Sequence, residues 1–285
     1  MRYLIHRPGP PLSDLVDYLW SLSDAPLHAR ERIVPSGTVE LVINLAEDEF
    51  RIYGSPGTSD CRRLPGAIAS GCYSVPFGID TREHSSVVGV HFKPGGAAGL
   101  LGAPPGAVAD SHVALEDLWG RRAIELRERL CTIDSLSRFH VLERALIDGL
   151  PDACGSRDAV KAALHELERP RMGMGDLAKR LGLSRRRLIE IFTEDVGMTP
   201  KRYARVRRFQ RVLALATTRQ RPRWAELALE CGYFDQAHLC RDWAELTGLS
   251  PAEFVALRRT PVKENHIAIP EPGVKSVQYA SELRS

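Results

Sequence analysis

Two short segments of the chain concentrate side chains that bind anions and flat polar surfaces. The first is residues 185–187, three consecutive arginines that follow Ser184. The second is residues 236–238, Gln-Ala-His, followed by Arg241. An arginine guanidinium binds phosphate and can donate paired hydrogen bonds to guanine, and a glutamine amide makes the matching pair with adenine. Such chemistry requires that the side chains project together from an ordered element.

Apolar residues around the second segment predict that element. Leu239, Trp243 and Leu246 follow the i, i+4, i+7 spacing of one helix face. A short turn precedes them, in which Gly232 can adopt the left-handed conformation that ends a helix and Asp235 can cap the next helix. Helix, glycine-containing turn and second helix form the pattern that places a recognition helix in a DNA major groove.

The same pattern occurs twice in the chain. Residues 176–200 align with residues 226–251, with one residue inserted in the second copy. The matched pairs are Leu177/Leu227, Ala178/Ala228, Gly182/Gly232, Leu188/Leu239, Phe192/Trp243, Gly197/Gly248 and Pro200/Pro251. Two such units joined by one helix, predicted over 199–217, would present two recognition helices roughly 34 Å apart to successive major-groove segments.

Residues 175–259 resemble the paired helix-turn-helix domain of AraC/XylS-type transcriptional regulators. The residues that carry the resemblance are Gly232-Tyr233-Phe234-Asp235-Gln236-Ala237-His238-Leu239, Arg241, Trp243, Thr247-Gly248, Ser250-Pro251 and Phe254. The resemblance implies a sequence-specific, DNA-binding transcription regulator. Its partners would be double-stranded DNA and RNA polymerase, and the choice between activation and repression stays open.

By this resemblance, positions near the start of each recognition helix face base edges. The candidates are Arg186, Arg187, Glu190, Gln236, Ala237, His238 and Arg241. Candidates for the DNA backbone are Ser184, Arg185, Lys201, Arg202 and Arg205. Three consecutive arginines spread around a helix, so one or two of them can face bases. Ala237 offers only a methyl contact, and His238 is equally compatible with a packed, hydrogen-bonded role.

The first half of the chain has the short, β-branched segments typical of strands. The predicted strands are 31–35, 38–45, 49–54, 64–70 and 86–92. Residues 12–22 fit a short helix or the start of a strand. A helix of small residues is predicted after 93–96, and further helices over 115–119, 121–130, 136–150 and 157–168. Many short strands with Gly and Pro between them favour a barrel or sandwich.

The segments PSGTVELVINL, VVGVHFKPGG and LEDLWG resemble the cupin-like effector or oligomerisation domain found in some AraC/XylS-type proteins. The expected fold class is therefore α+β. We expect a small cupin-like β-barrel with helices over 1–152, an all-α domain with two helix-turn-helix motifs over 157–259, and a tail over 260–285. In that tail, 266–269 could pair as an edge strand.

The N-terminal part is expected to mediate dimerisation or to respond to a small-molecule effector. Glu40 and Asn44 share one face of a predicted strand and are the candidate effector ligands. The alternative is that both lie on the wet face, with Val39, Leu41 and Ile43 as core. A homodimer would bind two half-sites, each contacted by two recognition helices.

Charge separates the two halves of the chain. Residues 171–259 hold 18 Lys and Arg against 10 Asp and Glu, a net charge of +8, while the remainder holds 21 against 26, a net charge of −5. A basic segment beside a mildly acidic one is typical of a nucleic-acid-binding module joined to another domain. A solvated helical surface would also be basic, and the repeat favours the first interpretation.

The remaining patterns predict neither catalysis nor a cofactor. The six cysteines form no C-x-x-C pair, and the chain has neither a signal peptide pattern nor an apolar run long enough to span a membrane, which favours reduced thiols in the cytoplasm. His84 and His91 are too far apart for a cupin H-x-H metal site, so we expect no metal. The alternative function is a DNA-binding module fused to a repair or cupin-type enzyme; alkyl-transfer repair would require P-C-H-R and a zinc-binding cysteine set, which the sequence lacks.

Overall fold

The computed structural model describes residues 2–23, 30–54, 60–80, 85–151, 157–168, 173–219, 221–257 and 265–269. The strands are β1 (Arg2–His6), β2 (Val16–Ser23), β3 (Arg30–Ile33), β4 (Glu40–Asn44), β5 (Glu49–Tyr53), β6 (Cys61–Pro65), β7 (Ala67–Ser70), β8 (Phe77–Asp80), β9 (Ser86–Phe92), β10 (His112–Ala114) and β11 (His266–Ile269). Sheets come first and helices follow, so the predicted α+β class is confirmed.

The strands form two antiparallel sheets. Sheet A has the order β1-β2-β9-β4-β7-β10, and sheet B has the order β11-β3-β8-β5-β6. Among the described residues, the end strands of each sheet pair with one neighbour, so the sheets do not close into the predicted small β-barrel and stack as two open layers. Between them lies an apolar layer of Trp20, Phe50, Ile52, Leu64, Ile68, Ile79 and Val87.

Helices cover the other side of sheet A. These are α1 (Leu115–Trp119), α2 (Arg121–Cys131) and α3 (Ser137–Ile147). Strand alternation explains how β4 serves both layers: Leu41 and Ile43 pack with the helices, while Val42 packs in the layer between the sheets. The helical prediction therefore holds for 115–119, 121–130 and most of 136–150.

Three details of the N-terminal prediction are corrected. Residues 12–22 form a single 3-10 turn, Leu12–Asp14, followed by β2, so the strand alternative applies. The predicted strand 64–70 is two strands in different sheets, because the chain turns a corner at Gly66, where a Cβ would lie 2.7 Å from Asp48 Oδ1. The predicted helix after 93–96 is a series of turns, since Gly99, in the middle of that segment, has φ +88°, outside the right-handed helical region.

The C-terminal part is helical, as the repeat predicts. Its helices are α4 (Asp158–Leu167), α5 (Met174–Arg180), α6 (Arg185–Val196), α7 (Pro200–Thr218), α8 (Trp224–Glu230), α9 (Gln236–Thr247) and α10 (Pro251–Leu257). Helix α7 joins the first unit, α5–α6, to the second, α8–α9. None of the helices in the described ranges is both long enough and apolar enough to cross a membrane.

The two parts share one continuous apolar core. It runs from sheet A and its helices through Val34, Cys72 and Val108 to Phe192 and Tyr203. The C-terminal end returns to the N-terminal part, because β11 pairs with β3, which confirms the predicted edge strand. Most of the predicted tail, 260–264 and 270–285, lies outside the described residues, as do residues 152–156 at the boundary between the two predicted domains.

Candidate nucleic-acid interface

The first recognition helix, α6, begins at a side-chain cap. The backbone N–H of Arg187 donates to Ser184 Oγ at 3.1 Å, which satisfies one of the free amides at the helix start. The helix ends at Gly197, whose φ of +93° terminates it in the left-handed conformation. Because Leu188 and Phe192 fill the core, the arginines at 185–187 are left exposed.

The second recognition helix, α9, is built in the same way. The N–H of His238 donates to Asp235 Oδ1 at 2.7 Å, and Gly232 has the left-handed φ of +83° that the turn requires. Both features confirm predictions from the sequence. Leu239 and Trp243 point into the core.

The structure places most predicted base-contact residues on the exposed faces of these two helices. The exposed members are Arg186, Arg187, Glu190, Gln236, Ala237 and Arg241. Arg187 Nη1 lies 3.0 Å from Glu190 Oε2. Such an exposed i,i+3 ion pair contributes little stability, so a base edge or phosphate can take the place of Glu190 as the partner of Arg187. His238 is half-buried with its ring against Tyr233, at a centroid distance of 5.1 Å, which favours the packed alternative.

The backbone candidates divide into exposed and paired residues. Arg185 and Lys201 are exposed. Arg202 lies 3.5 Å from Asp110 of the N-terminal part. Arg205 donates from Nε to Asp242 at 2.8 Å and from Nη2 to Glu245, so it joins α7 to α9. This placement disfavours the predicted backbone contact of Arg205, because its guanidinium is already held by two carboxylates.

Two apolar side chains on this surface were missed by the sequence reasoning. Phe234 is 87% exposed beside the cap of α9, and Ile189 is 41% exposed on the outer face of α6. The helical period alone could have placed Ile189 outside, because the core positions are Leu188 and Phe192. Apolar groups there can contact thymine methyls.

The candidate effector ligands do not lie on a wet face. Glu40 is half-buried between the sheets, where Oε1 accepts from Trp20 Nε1 at 2.8 Å and lies 3.6 Å from His91 Nδ1. Asn44 is fully buried and holds a turn, accepting from the amides of Ala46 and Glu47. The wet-face alternative is therefore wrong about these two residues, although Val39, Leu41 and Ile43 are core as it required.

A buried polar cluster lies in the N-terminal part beside the first unit. Burial, with a contribution from Arg62, lowers the pKa of His112 to about 3. Burial, with a contribution from Asp110, raises the pKa of Tyr73, so its neutral hydroxyl and Nδ1 of the neutral His112 ring share a hydrogen bond. The cluster adjoins Cys72 and Asp110, which contact the C-terminal helices.

Models of known protein families match both parts of the chain. A helix-turn-helix domain model matches residues 177–256, the region that holds both capped recognition helices. This region is an AraC-type helix-turn-helix domain. In front of this AraC-type domain, residues 5–114 match a domain of unknown function, DUF6597.

An HTH-type transcriptional regulator of Haemophilus influenzae is 30% identical over 118 residues, which is 40% of this chain and 39% of the relative. The chain thus spans less than half the length of that relative. Crystal structures of ToxT from Vibrio cholerae are similar to this chain at low sequence identity. An apo variant is 11% identical, with a TM-score of 0.47 over 85% of this chain and 98% of that chain. An unsaturated fatty acid-bound form is 10% identical, with a TM-score of 0.45 over 92% and 97%.

Proposed function

We propose that the whole chain is a sequence-specific transcription regulator that binds double-stranded DNA, and we assign it no enzymatic reaction. The observation that carries this proposal is the pair of capped helices with exposed, polar first turns. The amides at a helix start carry partial positive charge, and the arginines at 185–187 add to it at the start of α6, so this helix start attracts phosphate. The exposed side chains then read bases.

The experiment is selection of bound sites from a random duplex pool by the full chain. We expect one enriched sequence with two separated elements. Its affinity should fall with salt, with a log–log slope of about −0.9 per phosphate contact. Arg186→Ala should weaken binding, whereas Arg121→Ala, a change of an exposed arginine on α2, should leave it unchanged. No enriched sequence at low salt would contradict the proposal.

We also propose that residues 1–152 mediate dimerisation or effector response, that 157–259 bind DNA, and that the protein acts in the cytoplasm with RNA polymerase as a partner. Glu40, placed between the sheets with Trp20 and His91, supports effector binding there. The fixed turn around Asn44 makes it a poorer ligand. Sedimentation of the full chain and its footprint on the selected site would test this: a dimer should protect two half-sites and a monomer one.

A further inference from the structure

The C-terminal ends of both recognition helices lie against the N-terminal part of the chain. At the end of α6, Cys72 Sγ donates to the carbonyl of Val196 at 2.8 Å, and both residues are buried. Burial raises the pKa of the Cys72 thiol, which therefore stays protonated as the donor.

Helix α6 is also contacted by the 3-10 turn Pro105–Val108. Its Gly106 comes so close that a Cβ there would lie 2.7 Å from the carbonyl oxygen of Thr193. Because any side chain would collide with backbone, this approach depends on glycine. The first recognition helix is thus held over its last turn.

At the C-terminal end of α9, a charged side chain from the N-terminal part holds the helix. Arg32 Nη1 donates to the carbonyls of Thr247 at 2.9 Å and Gly248 at 3.2 Å. Carbonyls at a helix end lack partners within the helix and carry partial negative charge, so a guanidinium stabilises them. Burial lowers the pKa of Arg32, and the carboxylate of Glu253 opposes this shift.

The strand that carries Arg32, β3, is held by β11, which follows the last helix of the DNA-binding region in sequence. In sheet B, Ile267 of β11 pairs with Arg32, and the N–H of Val34 donates to the carbonyl of Asn265 at 3.0 Å. His266 Nδ1 lies 2.6 Å from Glu31 Oε2. The segment that follows α10 in sequence therefore pairs with β3, the strand whose Arg32 contacts the end of α9.

These contacts leave the opposite ends of both helices accessible, since residues 185–187 and 235–237 are exposed. We propose that Arg32 and Cys72 are positioning residues for DNA recognition. Each holds the C-terminal end of one recognition helix, so the N-terminal part fixes the distance between the two DNA elements that the chain binds. The proposal rests on the proposed function and adds that spacing is set from outside the helix-turn-helix domain.

The test measures affinity of the full chain for the selected site and for sites whose two elements are moved apart or together by single base pairs. Wild-type affinity should fall about tenfold with a wrong spacing, since hydrogen bonds to a charged group resist the movement. Arg32→Met keeps the aliphatic stem and removes the donors. It should bind all spacings within about twofold, while Arg32→Lys should restore part of the discrimination.

Controls separate positioning from folding. Arg121→Met is the matched control and should keep wild-type discrimination. Cys72→Ala is the second variant, for use if Arg32→Met does not give a folded protein by circular dichroism and thermal unfolding. Because Cys72 holds the helix that binds the first element, this variant should also lose the discrimination between spacings. A folded Arg32→Met or Cys72→Ala protein with wild-type discrimination would overturn the proposal. So would a wild-type chain that binds its selected site equally at every spacing, although the proposed function would then stand. A chain with no enriched site would instead overturn the proposed function.

Discussion

Phe192 of the first helix-turn-helix unit and Trp243 of the second occupy equivalent places and are packed differently. Phe192 meets the ring of Tyr203 at a centroid distance of 5.6 Å. Trp243 contacts three rings, those of Phe209 at 5.3 Å, Trp224 at 5.1 Å and Phe254 at 4.9 Å. In the second unit, one side chain therefore makes most of the aromatic contacts. The first unit packs in addition against Cys72 and the turn Pro105–Val108.

The outer surfaces differ more than the cores. Helix α6 begins with three exposed arginines, whereas α9 begins with Gln-Ala-His beside the exposed Phe234. Core positions must fit the same helix pair, so their types repeat, while surface positions carry no such packing constraint. We infer that the first unit contributes more of the salt-dependent affinity and the second more of the neutral contacts.

The largest effect should come from the two core aromatics. Trp243→Ala and Phe192→Ala should each lower the free energy of unfolding by about 3–5 kcal/mol, because each leaves a cavity. The loss should be larger for Trp243, which contacts more rings. Urea unfolding of the full chain measures this. A larger loss for Phe192→Ala would reverse our comparison of the two units.

The next largest effect should be on DNA binding, where loss of a base contact is compared with loss of a phosphate contact. Arg186→Ala in α6 and Arg241→Ala in α9 should each cost about 1–3 kcal/mol of binding and relax preference at one base position. Lys201→Ala should weaken all sequences alike and reduce the salt slope by about 0.9. Affinities for a set of single-base variants of the selected site measure both. Uniform weakening by the two arginine variants would show that they bind phosphate.

A smaller effect should come from His112, in the N-terminal part beside the first unit. Its pKa in the folded protein is lowered to about 3, so the unfolded chain binds a proton that the folded chain does not as pH falls below about 6.5. Stability from this residue is present at neutral pH and lost on acidification. Between pH 7 and pH 5 the loss should be about 1–2 kcal/mol.

His112→Gln removes the titrating ring and serves as the reference for this pH effect. The difference in unfolding free energy between wild type and variant should shrink toward pH 5. A difference that stays constant between pH 7 and pH 5 would place the pKa of His112 near its ordinary value.

The smallest effects should come from the helix caps, which test whether both units start alike. Ser184→Ala and Asp235→Ala should each cost about 1 kcal/mol of stability. The loss should be larger for Asp235, because its carboxylate also interacts with the helix dipole and its bond is shorter. Thermal unfolding measures both, with Ser184→Thr and Asp235→Asn as variants that keep the cap.

Much of the helical region could be predicted because its signals are local. The caps at Ser184 and Asp235 and the left-handed Gly232 depend on neighbours within a few residues, and apolar positions repeat within one helix. The N-terminal part was harder. Its strand pairing joins distant segments, so neither the corner at Gly66 nor the two open sheets could be read from alternation.

The sequence by itself determined the repeat, the two capped recognition helices and the candidates exposed on them. The tertiary structure decided which cations are free, since the carboxylates that hold Arg205 lie on a helix far along the chain. It also decided what supports each recognition helix. Arg32 is 215 residues from Thr247 in sequence, and Cys72 is 124 from Val196. Side chains so far apart leave no periodic signal, because only the packing of the sheets against the helices brings them into contact.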